Sequence, residues 1–267
     1  MLKDRVAIIT GAASGVGRAA AYKFAHHGAK VLVAAVDEKG GRKTVSKIES
    51  DGANALFVET DVSDASSAQA MADAALNRWG RIDILYNNAA ATTLCNTQDR
   101  AVHELEEWVW DKMLAVCLKS VYLCSKVVLP IMIDKRKGII INTTSVDALV
   151  AEPGCDSYTA AKGGILSMTR SMAAEYAQYG IRVNVISPGY IITECQKPWY
   201  DNDPKARAAA DAMHLTRIGQ PDDVANMAAY LASDMAEFIT GAVIPVDGGF
   251  TAFKGSIPFH SGSSAQT

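Results

Sequence analysis

The chain has 267 residues, 49% of them hydrophobic, and a net charge of −3. That apolar content supplies a large core and excludes a disordered chain; the slight acidity, without a lysine–arginine cluster, argues against nucleic acid as a partner. The five cysteines (Cys95, Cys117, Cys124, Cys155, Cys195) are odd in number and form no CxxC pair, which fits a reduced, cytoplasmic setting.

Short β-branched runs alternate with longer helical stretches. VAIIT (6–10) reads as a strand, and GVGRAAAYKFAHHG (15–28) as a helix closed by Gly28. KVLVAAV (30–36) and ALFVET (55–60) are strands two and three. The next helix, up to Gly80, has Ser63 or Asp64 as its N-cap. IDILYN (82–87) is the fourth strand; a loop and a long helix through 107–133 follow. GIIINTT (138–144) is the fifth strand, 157–179 a helix ending at Gly180, and IRVNVIS (181–187) the sixth strand. PDDVANMAAYLAS is a helix with Pro221 in its first turn, and AVIPVDGG holds a seventh strand.

The strands are apolar on both faces, the pattern of a parallel sheet covered by helices on both sides. The β–α rhythm runs without a linker, so the expectation is one doubly wound, Rossmann-like α/β domain of about seven strands over residues 1–250. Residues 190–215 interrupt the rhythm and are a candidate substrate lid; 251–267 is a tail of small polar residues. The start, MLKDRVAIIT, shows no signal peptide. No apolar run approaches the roughly 20 residues that span a bilayer, so no membrane partner is expected. The histidines lack metal-ligand spacing, so no metal is expected.

TGAASGVG (10–17) lies between the first strand and a helix. Gly11, Gly15 and Gly17 permit a tight turn and let backbone N–H groups approach a pyrophosphate at a helix N-terminus; a plain turn would use the same residues. YTAAK sets Tyr158 and Lys162 four residues apart, on one helix face. Ser145 lies just past the fifth strand, at the end where ligands bind open α/β sheets. A phenol has an ordinary pKa of about 10, and a nearby ammonium and a positively charged nicotinamide ring would favour the phenolate. Tyr158 could then exchange a proton with an alcohol or ketone oxygen that Ser145 also holds. A surface tyrosine with a helix lysine one turn on is the plainer reading of the pair.

Together these motifs resemble the short-chain dehydrogenase/reductase family, over about residues 4–250. The resemblance implies a cofactor loop of Gly11, Ser14, Gly15, Val16 and Gly17. It further implies an adenine-contacting pair, Asp61 and Val62, and an NNAG-like turn, Asn87-Asn88-Ala89-Ala90. Ser145, Tyr158 and Lys162 match the catalytic residues, Tyr158 and Lys162 also touching the cofactor. Pro188, Gly189, Ile191 and Thr193 match the nicotinamide loop, and Asp247-Gly248-Gly249 the C-terminal turn. The implied activity is hydride transfer between NAD(P) and a small secondary alcohol or ketone, by a homotetramer.

Two departures stand out. Ala35 and Val36 occupy the places that select NAD or NADP in the family. Asp37, if not simply a helix N-cap, can reach the ribose, and with Glu38 would repel a 2′-phosphate. NAD(H) is therefore favoured, with NADP(H) the alternative through Lys39, Arg42 and Lys43. Cys117 replaces the asparagine that in the family holds a helix kink and a water beside the lysine; a thiol cannot supply an amide's two-sided hydrogen bonding. Asp147, Glu152, Cys155 and Asp156 would give an acidic cleft mouth suited to a polyol, sugar or cation, or form a solvated loop. Trp199, Tyr200, Met213 and His214 would give an apolar cover, or pack elsewhere. A 3-oxoacyl thioester reductase and a weakly active nucleotide-binding scaffold are the alternative functions.

Overall fold

Every residue of Val6–Thr10 is buried, and this strand, β1, anchors a seven-stranded sheet. The computed structural model describes residues 1–252; the expectation for the tail beyond 252 lies outside the described residues. The other strands are β2 (Lys30–Ala35), β3 (Ala55–Glu59), β4 (Ile84–Asn87), β5 (Gly138–Thr143), β6 (Ile181–Pro188) and β7 (Val243–Val246). All pair in parallel, in the order β3-β2-β1-β4-β5-β6-β7. Ile8, for example, lies opposite Leu32 on one side and Leu85 on the other.

Helices cover both faces, as the two-sided apolar strands require. On one face lie α1 (Gly15–His26), α2 (Glu38–Ser50) and α10 (Pro221–Leu231), with Phe24, Ile48 and Val224 in the core. On the other lie α3 (Ala65–Trp79), α6 (Ser120–Lys135) and α7 (Asp156–Tyr176), contributing Met71, Val128 and Met172. Of the two N-cap candidates for α3, Asp64 caps it, accepting from the Ser67 N–H at 2.7 Å.

The expected long helix is interrupted. It runs as α5 (Glu107–Leu114), one π turn (Ala115–Lys119) and α6. Together Glu107–Lys135 is a 29-residue helix whose most apolar 18-residue stretch reaches a mean hydropathy of 1.8, enough to cross a membrane by length and composition. This corrects the expectation that no run approaches that length. The helix is hydrophobic because it is a core element, wedged against α3 and the sheet. Three helices lie where none was expected or the rhythm broke. A short α4 (Thr92–Gln98) follows β4, and α8 (Lys197–Asn202) with α9 (Pro204–Ala212) fills the candidate lid.

The chain leaves β1 toward β2 on one side and enters β4 on the other, so the strand order reverses between them. At such a switch point the connections diverge and leave a crevice at the C-terminal strand ends. Thr10, Asn87, Thr143 and Pro188 end the strands around it.

Candidate active site

The glycine loop is wedged between β1 and β4. The Thr10 hydroxyl oxygen accepts from the N–H groups of Asn88 (3.0 Å) and Ala89 (3.1 Å), and the Asn88 amide donates to the Thr10 carbonyl at 3.0 Å. Asn88 thus braces the loop with its side chain. Gly11 has φ +68°, and a Cβ there would lie 2.9 Å from the Ala89 Cα. A Cβ on Gly17 would come within 2.3 Å of the Gly11 carbonyl oxygen. Both glycines are therefore required by close backbone approach.

The first turn of α1 holds an anion. The Gly15 N–H donates to Glu194 Oε2 at 2.9 Å, and Arg18 pairs with Glu194 Oε1 at 2.5 Å. Arg18 also donates through Nε to the Ala13 carbonyl at 3.0 Å. The Glu194 carboxylate oxygens stand in for phosphate oxygens at a helix N-terminus, where orphan N–H groups and the helix dipole favour negative charge. The residues present therefore fit a dinucleotide pyrophosphate. Ser14 precedes α1 in extended backbone and its side chain makes no capping bond; Val16 packs on the core.

Asp37 is the N-cap of α2, its Oδ1 accepting from the Gly40 N–H at 3.0 Å. Beside it Val36 is 67% exposed, so the end of β2 opens toward solvent. Arg42 is tied to Glu38 at 2.7 Å and lies over the Phe57 ring. Asp61 accepts from both the N–H and the hydroxyl of Ser63, which holds its carboxyl below the usual range; Val62 is buried. At the end of β6, a Cβ on Gly189 would meet Asp247, so the strand end is packed on the Asp247-Gly248-Gly249 turn. The Ile191 side chain packs on the core, beside Gly219. Thr193 touches the glycine loop at Gly15.

Tyr158 and Lys162 share a face of α7, as the spacing required. Lys162 is 1% exposed; its ammonium donates to the Thr143 carbonyl at the end of β5 (2.9 Å) and lies 5.3 Å from the Tyr158 ring centroid. Ser145 caps a short 3₁₀ turn (Val146–Ala148), its oxygen accepting from the Asp147 N–H at 3.2 Å. Burial raises the Tyr158 phenol well above its ordinary value, and Cys117, Asp147 and Cys95 add in the same direction. A bond from the Ser145 side chain works against them. Burial likewise lowers the Lys162 ammonium. With the chain's own groups, then, Tyr158 is a protonated acid, and burial outweighs the lowering expected from the lysine.

Cys117 sits on the inner side of the π turn, fully buried, with its sulfur accepting from the Ala91 N–H at 3.3 Å and lying 3.6 Å from the Met113 sulfur. A π turn thus stands here with a thiol in the asparagine's place. Such turns recur at functional sites.

The cleft walls only partly match expectation. Asp147 and Glu152 are held above the usual carboxylate range, chiefly by burial. Asp156 instead accepts from the Val102 N–H at 2.8 Å and so pins a neighbouring loop. In the lid, Tyr190 and Trp199 pair with centroids 5.6 Å apart, and Trp199 and Met213 are over 40% exposed. His214 is no part of an apolar cover. It is buried, and its ring nitrogens bind the Ala210 carbonyl (2.8 Å) and the Tyr190 N–H (3.3 Å), which fixes the lid's base. Tyr200 is likewise tethered, donating to Asp211 at 2.8 Å.

Two features were not anticipated from the sequence. Asp99, buried, accepts from the N–H groups of Ser157 (3.3 Å) and Tyr158 (2.9 Å), capping α7 from 58 residues away. It thereby fixes the turn that carries Tyr158. The Arg18–Glu194 pair ties the lid to the glycine loop; an arginine directly after the third glycine and a glutamate directly after Thr193 were the only local signals. Among the described residues no group of three or more His, Cys, Asp or Glu side chains is placed to hold a metal ion.

Residues 11–251 match the family model described as enoyl-(acyl carrier protein) reductase. The chain is 39% identical to cis-4-hydroxycyclohexanecarboxylate dehydrogenase of Sinomonas cyclohexanicum, over 93% of this chain and 97% of the relative. It is 36% identical to 3beta-hydroxysteroid dehydrogenase 1 of Eggerthella lenta, over 95% and 96%. The crystal structure of levodione reductase superposes with a TM-score of 0.85 at 34% identity, covering 94% of this chain and 99% of that one.

Proposed function

Because the chain belongs to the short-chain dehydrogenase/reductase family of NAD(P)-dependent oxidoreductases, we propose that it interconverts a ring-borne secondary alcohol and its ketone, with NAD(H) as the preferred cofactor. The observation that carries this reading is the buried Lys162 ammonium beneath the Tyr158 ring, with Ser145 beside them at the end of β5.

A bound nicotinamide dinucleotide supplies or accepts the hydride. Gly11, Ser14, Gly15, Val16 and Gly17 would hold its pyrophosphate, Asp37 its ribose, Asp61 and Val62 its adenine, and Ala89, Pro188, Gly189, Ile191 and Thr193 the remainder. Tyr158 donates the proton to the ketone oxygen in reduction and takes it back in oxidation. Ser145 donates a hydrogen bond to that oxygen and fixes it against Tyr158. Lys162, anchored on Thr143, keeps a positive charge next to the phenol and favours the phenolate that oxidation needs.

The preference for NAD rests on charge. The Asp37 and Glu38 carboxylates at the start of α2 would repel a 2′-phosphate bound there, and Arg42 is paired with Glu38. The ring-borne substrate is supported by the names of the two dehydrogenase relatives and by the Tyr190–Trp199 pair at the lid. A 3-oxoacyl thioester on a carrier protein fits less well, since Asp147 and Glu152 at the cleft would repel the carrier's phosphate. The test is a panel of cyclohexanols, linear polyols and 3-oxoacyl thioesters with both cofactors. A cyclohexanol with NAD is expected to give kcat/KM at least about tenfold above the other combinations. A polyol or thioester ahead of it would overturn the substrate reading, and faster turnover with NADP the cofactor reading.

Glu194 occupies the anion position that the pyrophosphate would use, so the two compete. Glu194→Gln removes the charge and is expected to tighten NAD binding by about three- to tenfold, the worth of one exposed charge contact. Fluorescence titration of NADH measures this; weaker binding would mean that the carboxylate helps to hold the cofactor instead.

A further inference from the structure

Beside the cleft, two cysteines face one another. Cys95 lies on α4 and Cys155 at the N-terminal boundary of α7, 60 residues apart in sequence, with their sulfurs 3.8 Å apart. Both are only half-buried, whereas Cys117 and Cys124 are buried. Cys95 packs on the cluster that contains Cys117, Ala161 and Tyr158, and Cys155 precedes Tyr158 by three residues. None of this geometry is used by the proposed reaction.

We propose that Cys95 and Cys155 form a dithiol that a hydroperoxide converts to a reversible disulfide, tying α4 to the start of α7 and stopping turnover.

The chemistry suits the positions. Cys155 sits at the N-terminus of a 21-residue helix, whose dipole favours a thiolate. The Cys95 S–H donates to the Cys155 sulfur, which lowers the Cys155 thiol and raises that of Cys95. Cys155 is therefore the attacking sulfur. Its thiolate attacks one peroxide oxygen and the O–O bond breaks. Cys155 is oxidised to the sulfenic acid, and the other oxygen leaves as an alcohol, or as water from hydrogen peroxide. The Cys95 sulfur then attacks Cys155 Sγ and the S–O bond breaks. The hydroxide leaves as water, carrying the Cys95 proton. Two thiols and one hydroperoxide give one disulfide, one alcohol and one water.

The approach required is small. A disulfide bond is about 2.05 Å long, so the sulfurs close by about 1.8 Å. α4 has no buried residue and is seven residues long, so it can shift without opening the core. The bridge would draw α4 onto the turn that Asp99 caps and so displace Tyr158 from its working geometry. A misplacement of that kind costs one to two orders of magnitude in rate.

The test treats the full chain with hydrogen peroxide and follows intact mass, a non-reducing peptide map and turnover together. The expected result is a loss of about 2 Da, a linked Cys95–Cys155 peptide, and a fall in turnover of at least about tenfold that dithiothreitol reverses. In Cys95→Ser and Cys155→Ser the linked peptide is absent, and neither variant loses turnover, relative to its own untreated rate, in a form that dithiothreitol restores. A bridge to Cys195, or oxidation that stops at sulfinic acid on Cys155, would overturn the pairing. A Cys95–Cys155 bridge with unchanged turnover would overturn the gating. The bridge is read by mass and does not depend on the proposed reaction. Only the turnover effect rests on that reading, which fails separately if the untreated protein oxidises no alcohol.

Discussion

Tyr158→Phe is expected to lower kcat by about three orders of magnitude, within the range for loss of a general acid–base group, while leaving the Kd for NADH within about twofold. The substitution removes one oxygen and keeps the ring that packs on Ala161 and Cys117, so the wall of the cleft survives. A drop in kcat without a change in cofactor binding would mark a group that acts at the reacting oxygen. Because burial holds the phenol well above its ordinary value, the two directions should also differ in pH dependence. Reduction needs the protonated phenol and should be flat through neutrality. Oxidation needs the phenolate, so its rate should climb as pH rises toward about 10. Steady-state rates in both directions from pH 6 to 10, for both proteins, measure this. A variant that keeps the wild-type rate would remove Tyr158 from the chemistry.

Gly17→Ala is expected to be the most damaging single methyl in the glycine loop. Gly17 lies within α1, where alanine gains about 1 kcal/mol in helix propensity. The added Cβ would sit 2.3 Å from the Gly11 carbonyl oxygen and 2.6 Å from the Asn88 amide. Gly11 itself lies close to the Ala89 backbone, where even an added Cβ would come within 2.9 Å of the Ala89 Cα. Overpacking at about 1–3 kcal/mol therefore wins, and it falls on backbone. The melting temperature should drop by about 5 °C, and NADH binding should be lost with it. Gly163→Ala is the control: its Cβ meets nothing within 4 Å, so helix propensity acts alone and stability should hold or rise. Calorimetry and NADH titration on both variants separate the two cases. If Gly17→Ala matched Gly163→Ala, the loop would be looser than the close contacts require.

The sheet could be read from the chain because its strands are apolar on both faces, a signal carried by each segment alone. Asp64 and Gly80 bounded α3 for the same local reason. What escaped was non-local or lacked periodicity. α4 is largely polar and has no fully buried residue, so no apolar repeat marks it. The π turn leaves no trace in hydrophobic spacing, since α5 and α6 share one apolar run. Arg18 and Glu194 lie 176 residues apart, and Asp99 caps a helix 58 residues onward. Asp37 admits two readings; its Oδ1 caps α2 on the Gly40 N–H, and its ribose role is part of the proposed function. His214 admits a place in an apolar cover or packing elsewhere; two hydrogen bonds that no local pattern announces place it beneath the lid. Cys117 kept the address assigned by its neighbours, and the structure adds that a thiol suffices to hold the Ala91 backbone there.

The most direct measurement follows the hydride. Incubation of the protein with NAD and a cyclohexanol deuterated at the carbinol carbon should give NADH carrying the label at C4 of the nicotinamide, detected by NMR. Tyr158→Phe should transfer the label about a thousandfold more slowly. Label appearing in solvent, or transfer at equal rates by both proteins, would contradict hydride transfer assisted by Tyr158.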